Sequence, residues 1–102
     1  MPDEVKKLSN DEVQAHLKNV PDWEIDKGEL QRRFSLPTFP AAIFFVNAVA
    51  HLAEVSAHHP DIIISYNNVT LRLSTHSAGG LTEKDFASAQ QVNALWNVFH
   101  TS

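Results

Sequence analysis

The sequence is 102 residues long and 43% hydrophobic, which suits one compact domain, because two domains of half that length would each be too small to bury a core. Its formal charge is −4 and its basic residues are scattered (Lys6, Lys7, Lys18, Lys27, Arg32, Arg33, Arg72, Lys84), leaving no stripe to neutralise phosphates, so direct nucleic-acid binding is not expected. The absence of cysteine removes disulfides, thiolate chemistry and thiolate metal sites together, and it fits a cytoplasmic protein.

The opening MPDEVKK is acidic and polar where a signal peptide needs a basic start and an apolar middle. The longest apolar run, Ala41 to Val46, ends at Asn47, so the chain reads as soluble, unexported and without a membrane span. Ser9 followed by Glu12 is a capping box, and Val13, Leu17 and Val20 recur at helical spacing, predicting a short helix from Asn10 to about Lys18, closed by Pro21. Trp23 and Ile25 then alternate with polar residues, Lys27-Gly28 supplies a turn, and Leu30 to Leu36 reads as the returning strand of a hairpin.

Thr38 is the expected N-cap of the longest helix, with Pro40 in its first turn, where a missing amide hydrogen costs nothing; the helix should run to about Ala57. Its Ile43, Phe44, Phe45, Val46, Val49, Leu52 and Val55 cover more than one face, which predicts burial against a sheet on one side and a subunit interface on another. After Pro60, IIISY and VTLRLSTH flank Asn67-Asn68, a pair that tolerates the left-handed backbone of a tight hairpin. In the second of these strands Val69, Leu71 and Leu73 point one way while Thr70, Arg72, Ser74 and His76 point the other. Gly79-Gly80 forms a flexible connection, and Thr82 with Asp85 opens a last helix carrying Phe86, Ala89, Val92, Leu95, Trp96 and Phe99.

The order αββαββα is that of an α+β fold, a four-stranded antiparallel sheet covered on one face by helices, in a single domain spanning residues 1–102. The uncovered face of such a sheet would invite oligomerisation.

Six histidines is a high count, and His58, His59 and His76 fall at the ends of predicted elements, where side chains can converge. A histidine cluster can hold one ring protonated as an acid and another neutral as a base at one pH, with Glu54 and Asp61 to orient them. Glu54 precedes His58 by one helical turn, and a helix ending before Pro60 would let His59 turn independently in an extended conformation. Three plainer readings stand beside this one. The adjacent pair His58-His59 can be a polar helix end favoured by the helix dipole. Trp23 can be an aromatic anchor of the first hairpin, and Asp85 the reciprocal partner of the Thr82 cap. A metal site from His51, His58 and His76 matches no zinc spacing.

The stretch AEVSAHHPDIIISYNNVTLRLSTHSAGGLTEKD, Ala53 to Asp85, resembles the pterin-4a-carbinolamine dehydratase family, also known as the dimerisation cofactor of a homeodomain transcription factor. The resemblance is carried by Glu54, His58-His59-Pro60-Asp61, Tyr66-Asn67, Val69, Ser74-Thr75-His76, the glycine turn before Leu81-Thr82, and Asp85. Trp23, the basic lead into RRFSL and the aromatic-rich long helix extend it over nearly the whole chain.

The resemblance implies the same αββαββα fold, assembled as a homodimer or homotetramer, and dehydration of 4a-hydroxytetrahydrobiopterin to quinonoid dihydropterin, without metal or cofactor, in tetrahydrobiopterin recycling. It assigns proton transfer to His58, His59 and His76, with His59 as the acid at the hydroxyl and His58 or His76 as base and ring-positioner. It gives pterin contacts to Ala57, His58, His59, Ser74, Thr75, His76 and Ser77, a pocket wall to Trp23, and supporting carboxylates to Glu54, Asp61 and Asp85. The chain departs from the family pattern at Ala57, where asparagine or aspartate is common, and at Asn68, where a basic residue is common. The other functional expectation is a binding module, acting as a transcriptional-coactivator-like protein partner with little catalysis, motivated by the apolar excess of the long helix.

Overall fold

The computed structural model describes residues 6–100, so the expectation drawn from the opening residues 1–5 lies outside them. Helix α1 (Asn10–Leu17) is followed by strands β1 (Glu24–Asp26) and β2 (Glu29–Ser35), helix α2 (Phe39–Ser56), strands β3 (Asp61–Ser65) and β4 (Asn68–Leu73), a 3₁₀ turn (His76–Ala78) and helix α3 (Glu83–His100). This is the expected αββαββα order, with all strand pairs antiparallel and the sheet ordered β1-β2-β4-β3.

The expected N-caps of the first two helices form. The Ser9 hydroxyl accepts from the Glu12 amide at 3.2 Å while the Ser9 amide donates to Glu12 at 2.8 Å, which holds that carboxyl below its usual range. The Thr38 hydroxyl accepts from the Ala41 amide at 3.2 Å.

Strands β2 and β4 lie at the centre, and their register sets Leu30 opposite Leu73 and Phe34 opposite Val69. Because side chains alternate, these residues and Leu71 face one side and are buried there, each at most 1% exposed. Onto them α2 lays Ala42, Phe45, Val49 and Ala53, a stripe at helical spacing, and α3 lays Phe86, Ala89 and Val92. Phe34, Phe45 and Trp96 meet edge-on or tilted with centroids 4.9–5.4 Å apart, the geometry aromatic rings prefer. Helix α2 has the length and composition to cross a bilayer, with mean hydropathy 1.4, but its buried stripe packs on the sheet as a core helix does.

The uncovered face carries a cluster of ion pairs. Arg72, whose register partner there is Gln31, donates to Glu29 at 2.7 Å, to the Asp26 carboxylate at 3.0 Å and to the Asp26 carbonyl at 2.9 Å, and also bonds Gln31. Ile63, in register with Thr70, is an exposed apolar group on this same face, and the largest others are Phe44 and Val55 on α2, each 72% exposed.

Three local expectations are corrected. The second hairpin turns at Tyr66-Asn67 rather than Asn67-Asn68, since Ser65 pairs with Asn68 and it is Tyr66 that takes φ 54°. Asn67 is occupied otherwise: its carbonyl accepts from the Leu36 amide at 2.9 Å and its side chain donates to the Leu36 carbonyl at 2.7 Å. Strand β4 stops at Leu73, so His76 starts the 3₁₀ turn instead of ending a strand. Finally, Pro60 does not end α2. Ala57, left-handed at φ 55°, does so three residues earlier, with the Ala57 amide donating to the Glu54 carbonyl and the His58 amide to that of Ala53.

Candidate active site

Asp85 is fully buried, a position a carboxylate takes only when its oxygens are engaged. It stands in the first turn of α3, where the helix dipole favours negative charge. Its Oδ2 accepts from the Thr82 amide and from the Thr75 hydroxyl, both at 2.9 Å. The Thr75 and Thr82 hydroxyls are themselves 2.8 Å apart, and Thr82 Oγ1 accepts from the Lys84 amide at 3.2 Å. The remaining oxygen, Oδ1, accepts from His58 Nε2 at 2.6 Å. One carboxylate therefore serves both as the cap partner of Thr82 and as the orienting group of a histidine.

The left-handed residue Ala57 makes this contact reachable. It ends the helix and turns the chain, so that the His58 side chain lies 13% exposed against α3 while His59 stays at the surface. His59 Nε2 donates to Glu54 Oε2 at 2.5 Å, with the two side chains 60% and 75% exposed. The expected pairing of Glu54 with His58 one turn later is thus replaced: Glu54 holds His59, and Asp85 holds His58. A carboxylate 27 positions away in sequence outcompetes the local one because Ala57 takes His58 out of the helical path.

Thr75 ties the third histidine's segment to the same group. Its amide donates to the Gly80 carbonyl at 3.1 Å, closing a small loop in which His76 opens the 3₁₀ turn with its side chain exposed. The neighbouring Ser74 hydroxyl donates to Glu29 at 3.2 Å on the uncovered face. Glu29 is held below the usual carboxylate range, first by its hydrogen bond from Arg72, then by Ser74 and by the charges of Arg72 and His76, against a burial penalty.

The other expected site residues are placed less centrally. Ser77 lies exposed in the 3₁₀ turn, and Asp61 opens β3 exposed, in register with Arg72 and without a hydrogen bond to the three histidines. Trp23 is 3% exposed in the core, where its ring meets Phe34 edge-on and its Nε1 donates to Asn93 at 2.8 Å. These contacts give it the hairpin-anchor role. Asn93 also accepts from Arg32, a half-buried cation whose burial pushes its pKa down against the opposing charge of Asp22. Among the described residues no three His, Cys, Asp or Glu side chains gather as metal ligands, so the His51, His58 and His76 arrangement has no geometric support.

Sequence reasoning missed Thr82 as part of this group, treating it as a cap alone. The available signal was a second threonine seven positions earlier, Thr75, which continues the inward alternation of Val69, Leu71 and Leu73. Beneath His58, a crevice between α2 and α3 lined by Leu52, Ser56, Pro60, Ser88 and Gln91 encloses about 10 Å³, room for about one water.

Known proteins resemble this chain along almost its whole length. The family model described as pterin 4 alpha carbinolamine dehydratase matches residues 6–95. A Chloroflexus aurantiacus protein provisionally named pterin-4-alpha-carbinolamine dehydratase is 53% identical over 89 residues, covering 87% of this chain and 96% of its own. A protein of the same provisional name from Aquifex aeolicus is 44% identical over 91 residues, covering 89% and 92%. Among solved structures, a transcriptional coactivator/pterin dehydratase from Brucella melitensis has a TM-score of 0.82 at 33% identity, covering 88% of this chain and 98% of its own. A pterin dehydratase-like protein identified as a RuBisCO assembly factor in the alpha-carboxysome has a TM-score of 0.58 at 27% identity, covering 72% and 84%.

Proposed function

This chain belongs to the pterin 4 alpha carbinolamine dehydratase family, and from that premise we propose that it dehydrates 4a-hydroxytetrahydrobiopterin to quinonoid dihydropterin in tetrahydrobiopterin recycling, by histidine acid–base catalysis. The observation that carries the proposal is the buried Asp85 carboxylate bonded to His58 at 2.6 Å beside the exposed pair of His59 and Glu54.

The reaction breaks the C4a–O bond, protonating the oxygen as it leaves as water, and removes the N5 proton as the C4a–N5 double bond forms. Two opposed proton-transfer groups across a flat ring are what it needs. His59, exposed and backed by Glu54, serves as the acid at the hydroxyl; His58, fixed by Asp85, serves as the base, with His76 positioning the ring. In this reading the pterin lies over the outer side of the His58 ring, against Ala57 and the 74–77 segment, where His59 and His76 are exposed. The test is the decay of a freshly made carbinolamine, followed by ultraviolet absorbance: the purified protein accelerates it, and a rate equal to that in buffer contradicts the proposal.

A second reading is favoured by the exposed Phe44 and Val55 of α2: the chain acts as a cytoplasmic homodimer or homotetramer, or as a protein-binding module of the coactivator kind. Full catalytic activity with no co-purifying protein partner argues against the binding module, and light scattering measures the self-association.

A further inference from the structure

Thr82 is fully buried at the start of α3, and its hydroxyl is the origin of a hydrogen-bond chain with only one possible direction. Each hydroxyl has one hydrogen to give, and an ionised carboxylate has none. The Thr75 hydroxyl gives its hydrogen to Asp85 Oδ2 at 2.9 Å, so in the 2.8 Å contact between the two threonines it is Thr82 that donates. Thr82 can do so because the hydrogen it accepts comes from the Lys84 amide at 3.2 Å. With Oδ2 filled by Thr75 and the Thr82 amide, Oδ1 is the oxygen turned to His58, and the hydrogen in that 2.6 Å contact sits on Nε2. The lone pair of the neutral ring is then on Nδ1.

We infer that Thr82 is a positioning residue for proton transfer: acting through Thr75 and Asp85, it fixes His58 as the Nε2–H tautomer and makes Nδ1 the nitrogen that exchanges a proton with the substrate. The identity of the substrate rests on the function proposed above; the tautomer does not. Thr82 is fully buried, so its substitution acts through its neighbours: through Thr75 on Asp85, and on the Lys84 amide that its hydroxyl caps.

The experiment uses the full chain with nitrogen-labelled histidines. Long-range proton–nitrogen correlations of the neutral His58 ring show Nε2 protonated and Nδ1 bare in the unaltered protein. Thr82→Val keeps the side-chain shape and deletes the hydroxyl; it moves both nitrogen shifts toward an average of the two tautomers. It also lowers kcat about 3- to 10-fold, the worth of one neutral hydrogen bond, with KM changed by less than about twofold. Thr82→Ser restores both readouts. An Nδ1–H tautomer in the unaltered protein overturns the inference even if no variant folds. Unaltered nitrogen shifts in a folded Thr82→Val protein overturn it equally. If the unaltered chain does not dehydrate a carbinolamine, the proposed function falls while the tautomer spectra still decide the positioning role.

Discussion

His58 and Asp85, 27 positions apart, are joined at 2.6 Å across the junction of α2, β4 and α3, with the carboxylate sealed from solvent and the imidazole at its outer edge. The contact sits where three elements end, so it reports on the packing of the whole domain as well as on the site. A buried carboxylate with four acceptor positions and three donors on hand is satisfied by this arrangement and by few others.

Asp85→Asn tests that dependence. The amide keeps the shape, but with its oxygen toward Thr75 and the Thr82 amide its NH2 faces His58 Nε2, which pairs with it only by giving up its hydrogen and taking the Nδ1–H tautomer, and the charge-assisted bonds are lost. The variant is expected to lose about 1–3 kcal/mol of stability, measured by urea unfolding. Its kcat should fall about 10²-fold, because His58 loses the partner that orients it.

Ala57→Gly is expected to stabilise the protein. Ala57 is exposed and held at φ 55°, a conformation that costs a residue with a Cβ about 1–2 kcal/mol and costs glycine little. The thermal midpoint should rise by several degrees, roughly 4–8 °C per kcal/mol for a domain of this size. An unchanged or lower midpoint would mean that the two Schellman hydrogen bonds, and not the backbone region, set the energy of this turn.

The ion group on the uncovered face predicts the acid limb of stability. The Glu29 carboxyl is held below its ordinary 4.5, chiefly by its hydrogen bond from Arg72. A depressed carboxyl contributes stability that is fully present above the unfolded value and is lost as the pH falls through the lower, folded value. Thermal midpoints should therefore decline below 4.5 in the unaltered protein and decline less in Glu29→Gln, which has no proton to take up. Added salt should weaken the difference, since the group lies at the surface.

Most of the fold was legible because its determinants are local. Ser9 with Glu12, Thr38 with Pro40, and the alternation of Val69, Leu71 and Leu73 each act within a few residues, and each produced the expected cap or face. The errors fall where a distant contact decides. Tyr66 takes the strained turn position because Asn67 is held by Leu36, 31 residues back, and Ala57 takes a glycine's conformation because His58 must reach Asp85. The family pattern marked the histidines, but the pairing of each with its carboxylate follows from the path of the chain after Ser56, which spacing alone does not reveal.

In the proposed function His58, held by Asp85, carries proton transfer in pterin carbinolamine dehydration. The direct test is kcat for carbinolamine loss in His58→Ala beside His51→Ala, an exposed histidine of α2. The expected result is a loss of about 10²- to 10⁴-fold in the first, with its fold intact by circular dichroism, and a rate within about twofold of the unaltered protein in the second. A folded His58→Ala protein that dehydrates the carbinolamine as fast as the unaltered chain would contradict it.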